Sequence, residues 1–141
     1  MVNLAIYHLM MNKRIIITAS ILGLLAVVAG AFGAHGLKPY LDADKLEVWH
    51  TAVQYQFYHV FALLFLSTFA RIKNSLISAS YYLFTFGIVF FSGSLYILAC
   101  RGLLGGYAWL DYFGPVTPLG GLLFIIGWIT LAIAAYKTKA S

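Results

Sequence analysis

The sequence predicts an all-α integral membrane protein, a four-helix bundle with both termini on the cytoplasmic side, and three observations carry that prediction. Of its 141 residues, 62% are hydrophobic and only 9% are charged, where soluble domains carry about a quarter charged residues. The intervals free of Asp, Glu, Lys and Arg run over 15–37, 48–70, 74–100 and 112–136, each longer than the ~20 helical residues that cross a ~30 Å hydrocarbon core. None of them shows the ~10-residue alternation of apolar and polar positions that marks a transmembrane β-strand. The expected spans are about 15–36, 48–70, 76–100 and 117–136, in a single domain covering residues 1–141.

Charge placement sets the topology. Lys13, Arg14, Arg71, Lys73, Lys137 and Lys139 fall at one end of the spans with no acid among them, whereas Lys38, Lys45 and Arg101 share the other end with Asp42, Asp44, Glu47 and Asp111. The positive-inside rule therefore places both termini in the cytoplasm. The net charge of +5 is a topology signal; basic residues grouped beside spans, rather than along one face, are no nucleic-acid surface. The lone Cys100 has no partner for an internal disulfide. The expected partners are the lipid bilayer, and either a second copy or another membrane protein.

Residues 1–12 read as an extended start, because Met11 followed by Asn12, Lys13 and Arg14 has the form of a membrane-insertion start, with Met10 or Met11 as alternative initiators; His8 carries no weight. Ala29-Gly30-Ala31 mimics a signal-peptide cleavage site, but the apolar run continues past it, which favours an uncleaved anchor. Within span one, Ala19, Gly23, Ala26, Gly30 and Ala34 recur at steps of four, three, four and four, a packing seam of small residues. The segment Gly30 to Leu37 holds more glycine than packing needs, Gly33 included, and predicts a break or a close backbone approach.

Pro39 and the capping-box-like pair Asp44-x-x-Glu47 start the second helix about two turns before the membrane core. Trp49 is then expected at headgroup depth. At 100° per residue, Thr51, Gln54, Tyr55, Tyr58, His59 and Ala62 share an arc of about 140°, with Val53, Phe57, Val60 and Leu64 opposite. A polar stripe inside a lipid-embedded helix must face protein or water.

Span three carries a second stripe, Ser78, Tyr81, Thr85, Ser92, Tyr96 and Ala99, with Gly93 allowing close contact beside it. Span four opens at Pro118-Leu119-Gly120-Gly121 and sets Gly120, Phe124, Gly127, Leu131 and Ala134 on one face. Between them, Arg101 to Thr117 is a glycine- and aromatic-rich outer segment, with Tyr107, Trp109, Tyr112 and Phe113 suited to the interface.

Four motifs in order, Gly30-Ala31-Phe32-Gly33-Ala34-His35-Gly36-Leu37, Thr51-Ala52-Val53-Gln54-Tyr55 leading to His59, Phe91-Ser92-Gly93-Ser94-Leu95-Tyr96, and Thr117-Pro118-Leu119-Gly120-Gly121 with Gly127-Trp128, resemble the small multi-pass membrane family known as domain of unknown function 423. Its eukaryotic branch is called transmembrane protein 256. The resemblance covers about Lys13 to Tyr136 and implies fold, topology and a bacterial membrane location; it carries no activity.

The residues leave three functional readings. The favoured one is a non-catalytic structural or accessory unit, with Gly23, Gly30, Gly33, Gly93, Gly120 and Gly127 packing helices and with no cofactor or metal. The second is a small-molecule or lipid carrier with a site between spans two and three, lined by His35, Gln54, Tyr55, His59, Ser92 and Tyr96. The third is a histidine metal site. His50 and His59, nine residues apart, lie about 180° round and about 13.5 Å along a regular helix, so they cannot share an ion; His35 with one of them stays open, and His35 with His59 is the pair this reading takes. No charged residue other than a protonated His59 falls within a span, and an ionisable side chain placed there is a functional hypothesis by default. Midplane acids of the kind coupled transporters use, a GxSxG nucleophile and a nucleotide-binding loop are all absent from the sequence.

Overall fold

The computed structural model describes residues 4–69 and 74–137, with side chains from residue 12 onward. Arg71, Lys73 and Lys139 of the basic end, and the side chains of His8, Met10 and Met11, lie outside the described residues. Helix α1 spans Leu4–Ala31 and continues into a π-helical turn, Phe32–Leu37; α2 spans Ala43–Phe69, α3 Ser75–Ala99 and α4 Val116–Lys137, with a 3-10 turn at Ala108–Phe113 before α4. The described residues contain no strand. Consecutive helices pack on each other, α3 against α4 most extensively.

The stretch Asn12–Leu37, helix α3 and the segment Ala108–Lys137 are long and apolar enough to cross a membrane by their own composition. Helix α2 has the length, at 27 residues, about 40 Å at 1.5 Å per residue, but carries Gln54, Gln56 and His59. It packs between α1 and α3, and two of those three polar side chains, Gln56 and His59, are buried.

Glycines set the closeness of α3 and α4, where van der Waals contact replaces the hydrophobic drive that lipid removes. A Cβ on Gly87 of α3 meets Cδ1 of Phe124 at 2.5 Å, and one on Gly127 of α4 meets Cε1 of Phe84 at 2.7 Å. Each helix thus seats the other's phenylalanine over its own glycine. A turn or two earlier, a Cβ on Gly120 runs into the backbone nitrogen of Phe91. Ser80 donates to the Gly127 carbonyl (3.3 Å) and Ser94 pairs with the Thr117 hydroxyl (2.7 Å), closing the same interface. The α4 face read from the sequence, Gly120, Phe124, Gly127, Leu131 and Ala134, is the face that is buried.

On α1, Ala19 and Ala26 are buried and Gly23 and Gly30 face Val60 and Val53 of α2, as the seam predicts. Ala34 departs from it and is exposed, while Gly33 is buried: the four-three alternation continues from Gly30 by three residues, not four. The expected break is the π turn. Widening the turn shifts the carbonyl ladder, and Nε1 of Trp49 donates to the Ala29 carbonyl at 2.9 Å. Trp49 is buried between α1 and α3, its ring tilted 54° against Tyr96 with centroids 4.5 Å apart. Gly33 makes room for it, since a Cβ there sits 2.6 Å from both Cδ1 and Nε1 of the indole.

The cap of α2 also differs from the expectation. Asp42, not Asp44, accepts the Lys45 amide (2.8 Å); the helix begins at Ala43, two residues before the start that an Asp44 cap would give, so Asp44 lies in the first turn, where its charge favours the positive helix end. Asn74 caps α3 by accepting from the Leu76 amide at 3.0 Å. In the connection between α3 and α4 the chain reverses at Gly105 and Gly106, both with positive φ (90° and 63°). Leu110 is buried, Tyr107, Trp109 and Tyr112 are exposed, and Arg101 pairs with Asp111 at 2.9 Å.

Candidate functional site

The polar residues of α2 and α3 resolve into two separate knots. The first is built on Gln56. Its Nε2 donates to the Leu22 carbonyl of α1 (2.8 Å) and its Oε1 accepts from the Tyr96 hydroxyl of α3 (2.8 Å), so one amide ties three helices. Ser92 donates to the Ala52 carbonyl at 2.8 Å beside it. The second knot is His59. Its Nδ1 meets the Tyr55 carbonyl one turn back (2.8 Å), and the indole of Trp128 in α4 donates to its Nε2 (3.3 Å). A carbonyl only accepts and an indole N–H only donates, which puts the ring proton on Nδ1 and a lone pair on Nε2. The imidazole lies flat on Phe124, centroids 3.4 Å apart and 6° from parallel.

These placements redraw the carrier site expected between spans two and three. His59, Ser92 and Tyr96 do turn inward, but Ser92 and Tyr96 serve the Gln56 knot and do not touch His59. Tyr55 is 39% exposed and packs on Phe91 at 4.6 Å. Gln54 points outward and is exposed, and so does His35 on the π turn. Gln56, which lies outside the stripe read from the sequence, is the central polar residue instead. The inward face of α2, centred near Ala52, Gln56, Leu63 and His59, is rotated by about 100°, one residue, from that stripe. His59 belongs to both arcs, being at the edge of each.

The histidines do not converge. His35 and His50 are exposed, and both nitrogens of His59 are engaged inside the bundle. Among the described residues there is no group of three or more His, Cys, Asp or Glu that could hold a metal ion.

An open groove lies elsewhere, between α1 and α3 over the N-terminal half of α2, with a volume of about 460 Å³. Leu25, Phe32 and Val89 wall it, and Gln56 and Tyr96 lie at its polar edge. Of the six residues expected to line a ligand site, Tyr96 alone lines this groove. Gly93 borders it, and a Cβ on Gly93 would meet nothing within 4 Å, so the space beside it is open.

Residues 29–121 match the family described as Protein of unknown function (DUF423). The UPF0382 membrane protein YwdK of Bacillus subtilis is 44% identical over 128 residues, which cover 89% of this chain and 98% of its own. A UPF0382 membrane protein of Staphylococcus saprophyticus is 42% identical over 125 residues, covering 89% and 98%. One from Haemophilus influenzae is 38% identical over 131 residues, covering 93% and 99%. No solved structure matches the chain at a comparable level.

Proposed function

We propose that this chain, which belongs to the DUF423 (UPF0382) family of membrane proteins of unknown function, is a non-catalytic accessory unit of the bacterial inner membrane that acts by packing against itself or a partner, with both termini cytoplasmic. The observation that carries this reading is the use made of His59. This buried imidazole has its two nitrogens spent on Tyr55 and Trp128, the arrangement of a residue that fixes helix register rather than one that meets a substrate. Gln56 and Ser92 are spent in the same way.

Size measurement in mild detergent together with crosslinking in native membranes tests it. Association with itself or with another membrane protein is expected, and a strict monomer that captures nothing by either method overturns it. A fluorescent protein fused to the C-terminus, expected to fluoresce as cytoplasmic fusions do, tests the orientation.

A second reading, binding of one hydrocarbon chain of a membrane lipid, is favoured by the groove between α1 and α3. Gly93→Leu fills that groove from a position where the first atom of the new side chain meets no neighbour. Under this reading the variant keeps its helicity but loses the lipid that co-purifies with the wild type; equal lipid retention by both removes it.

A further inference from the structure

We propose that the outward face of α2 is the interface of a symmetric dimer, in which Gln54 meets its own counterpart across a two-fold axis along the membrane normal. The proposal rests on the accessory reading above and names its partner as a second copy of this chain.

The starting point is an outward polar group at the wrong depth for lipid. Val48 begins the charge-free run of α2, and at 1.5 Å per residue Gln54 lies about 9 Å, and Tyr58 about 15 Å, further along the helix. That is well inside a ~30 Å hydrocarbon core. Gln54 is exposed, Tyr58 is 54% exposed, and among the described residues the Gln54 side chain has no hydrogen-bond partner. Hydrocarbon offers a primary amide nothing to bond, so an amide presented there is stable only against another polar group.

The surroundings of Gln54 have the form of a helix seam. Thr51, Gln54, Tyr58, Phe61, Phe65 and Thr68 follow at steps of three, four, three, four and three, all but half-buried Thr51 exposed. This is the 3.5-residue repeat that keeps one stripe of a helix against a partner helix. The inward face, with Ala52, Gln56 and Leu63, is already covered by α1 and α3, so the outward seam is a second, unoccupied one.

Symmetry selects the occupant. Two copies inserted with the same topology can be related only by an axis along the membrane normal. Their α2 helices then run parallel, and each residue of the seam faces its own counterpart at equal depth. A carboxylate or an ammonium there would repel itself. A carboxamide is self-complementary, one oxygen accepting and one NH2 donating, so a Gln54–Gln54 pair satisfies both copies, in the way one polar residue in an apolar seam sets register.

The test places a single thiol in the seam while leaving Gln54 intact. In a Cys100→Ser background, Thr51→Cys and Phe61→Cys are each treated in native membranes with a short bis-maleimide. Leu24→Cys on α1 and Ile125→Cys on α4 serve as controls. The expected result is a product of twice the chain mass from both seam positions and from neither control. Gln54→Leu is expected to weaken association in mild detergent at least tenfold with helicity unchanged, and Gln54→Asn to retain part of it.

Dimers crosslinked through α1 or α4 but not through α2 overturn the interface and leave the accessory reading standing. A seam thiol that captures a different protein overturns the second copy, again without touching that reading. A strict monomer with no product at any position overturns both.

Discussion

The Trp128 indole donates to Nε2 of His59 across 3.3 Å, and this bond is the polar link between α4 and α2. Around it the His59 ring stacks on Phe124 while Phe84 packs against the Trp128 ring at 5.1 Å. The imidazole is thus held between the helix that follows it and the helix that ends the chain.

Trp128→Phe keeps an aromatic ring and removes the donor. It is expected to lower unfolding free energy in detergent by about 0.6 to 1.7 kcal/mol, the average and the upper end for interhelical hydrogen bonds in membranes. His59→Leu is expected to cost a similar amount, and the double variant less than the sum of the two, because both remove one bond. Additive losses in thermal or denaturant unfolding count against the bond.

The two glutamines of α2 separate what faces inward from what faces out. Gln56→Leu strips partners from the Leu22 carbonyl and the Tyr96 hydroxyl, with an expected loss of about 1 to 3 kcal/mol. Gln54→Leu, measured in a detergent that holds the chain monomeric, is expected to stay within about 0.5 kcal/mol of wild type. The opposite ranking means that α2 is turned the other way, with Gln54 inward.

Gly33→Ala drives a methyl group to 2.6 Å from the Trp49 indole and displaces it from the Ala29 carbonyl. A loss of about 1 to 3 kcal/mol is expected, with a change in tryptophan fluorescence as the indole leaves its buried site. Trp49→Phe should absorb much of the Gly33→Ala penalty, since the smaller ring leaves space; an undiminished penalty in the double variant shows that the contact is not the cause.

Adjacent glycines at the start of α4 behave oppositely. A Cβ on Gly120 collides with the Phe91 backbone, which cannot rotate away, whereas one on Gly121 lies 3.8 Å from the Phe91 ring. Gly120→Ala is expected to loosen the α3–α4 pair by about 2 kcal/mol or more. Gly121→Ala should be neutral or stabilising by up to about 1 kcal/mol through helix propensity. Thermal midpoints of the two variants decide the matter directly.

Much of the fold is legible in the chain because its causes are local. The charge-free runs, the Pro and Gly punctuation and the spacing of Gly120, Phe124, Gly127 and Leu131 state where helices lie and which side of α4 is narrow enough to be approached. No knowledge of neighbours is needed for that. Family membership was legible too, because the four motifs lie along most of the chain.

The polar site was legible only in part. Gln54 and Gln56 are two residues apart, about 200° round the helix, and nothing in α2 alone says which one finds a carbonyl. Lipid makes the choice harder, since an apolar face is equally at home outward or inward and hydropathy no longer points to the core.

Four helices, their order and their small-residue seams are thus written into the chain, because length, hydropathy and spacing are properties of each segment. The rotation of α2, the burial of Trp49 and the pairing of His59 with Trp128 arise once the helices assemble. They depend on which groups neighbouring helices present: the Leu22 carbonyl and Tyr96 hydroxyl meet Gln56 on the inside, the Ala29 carbonyl ahead of the π turn accepts from Trp49, and Gln54 is left on the outside.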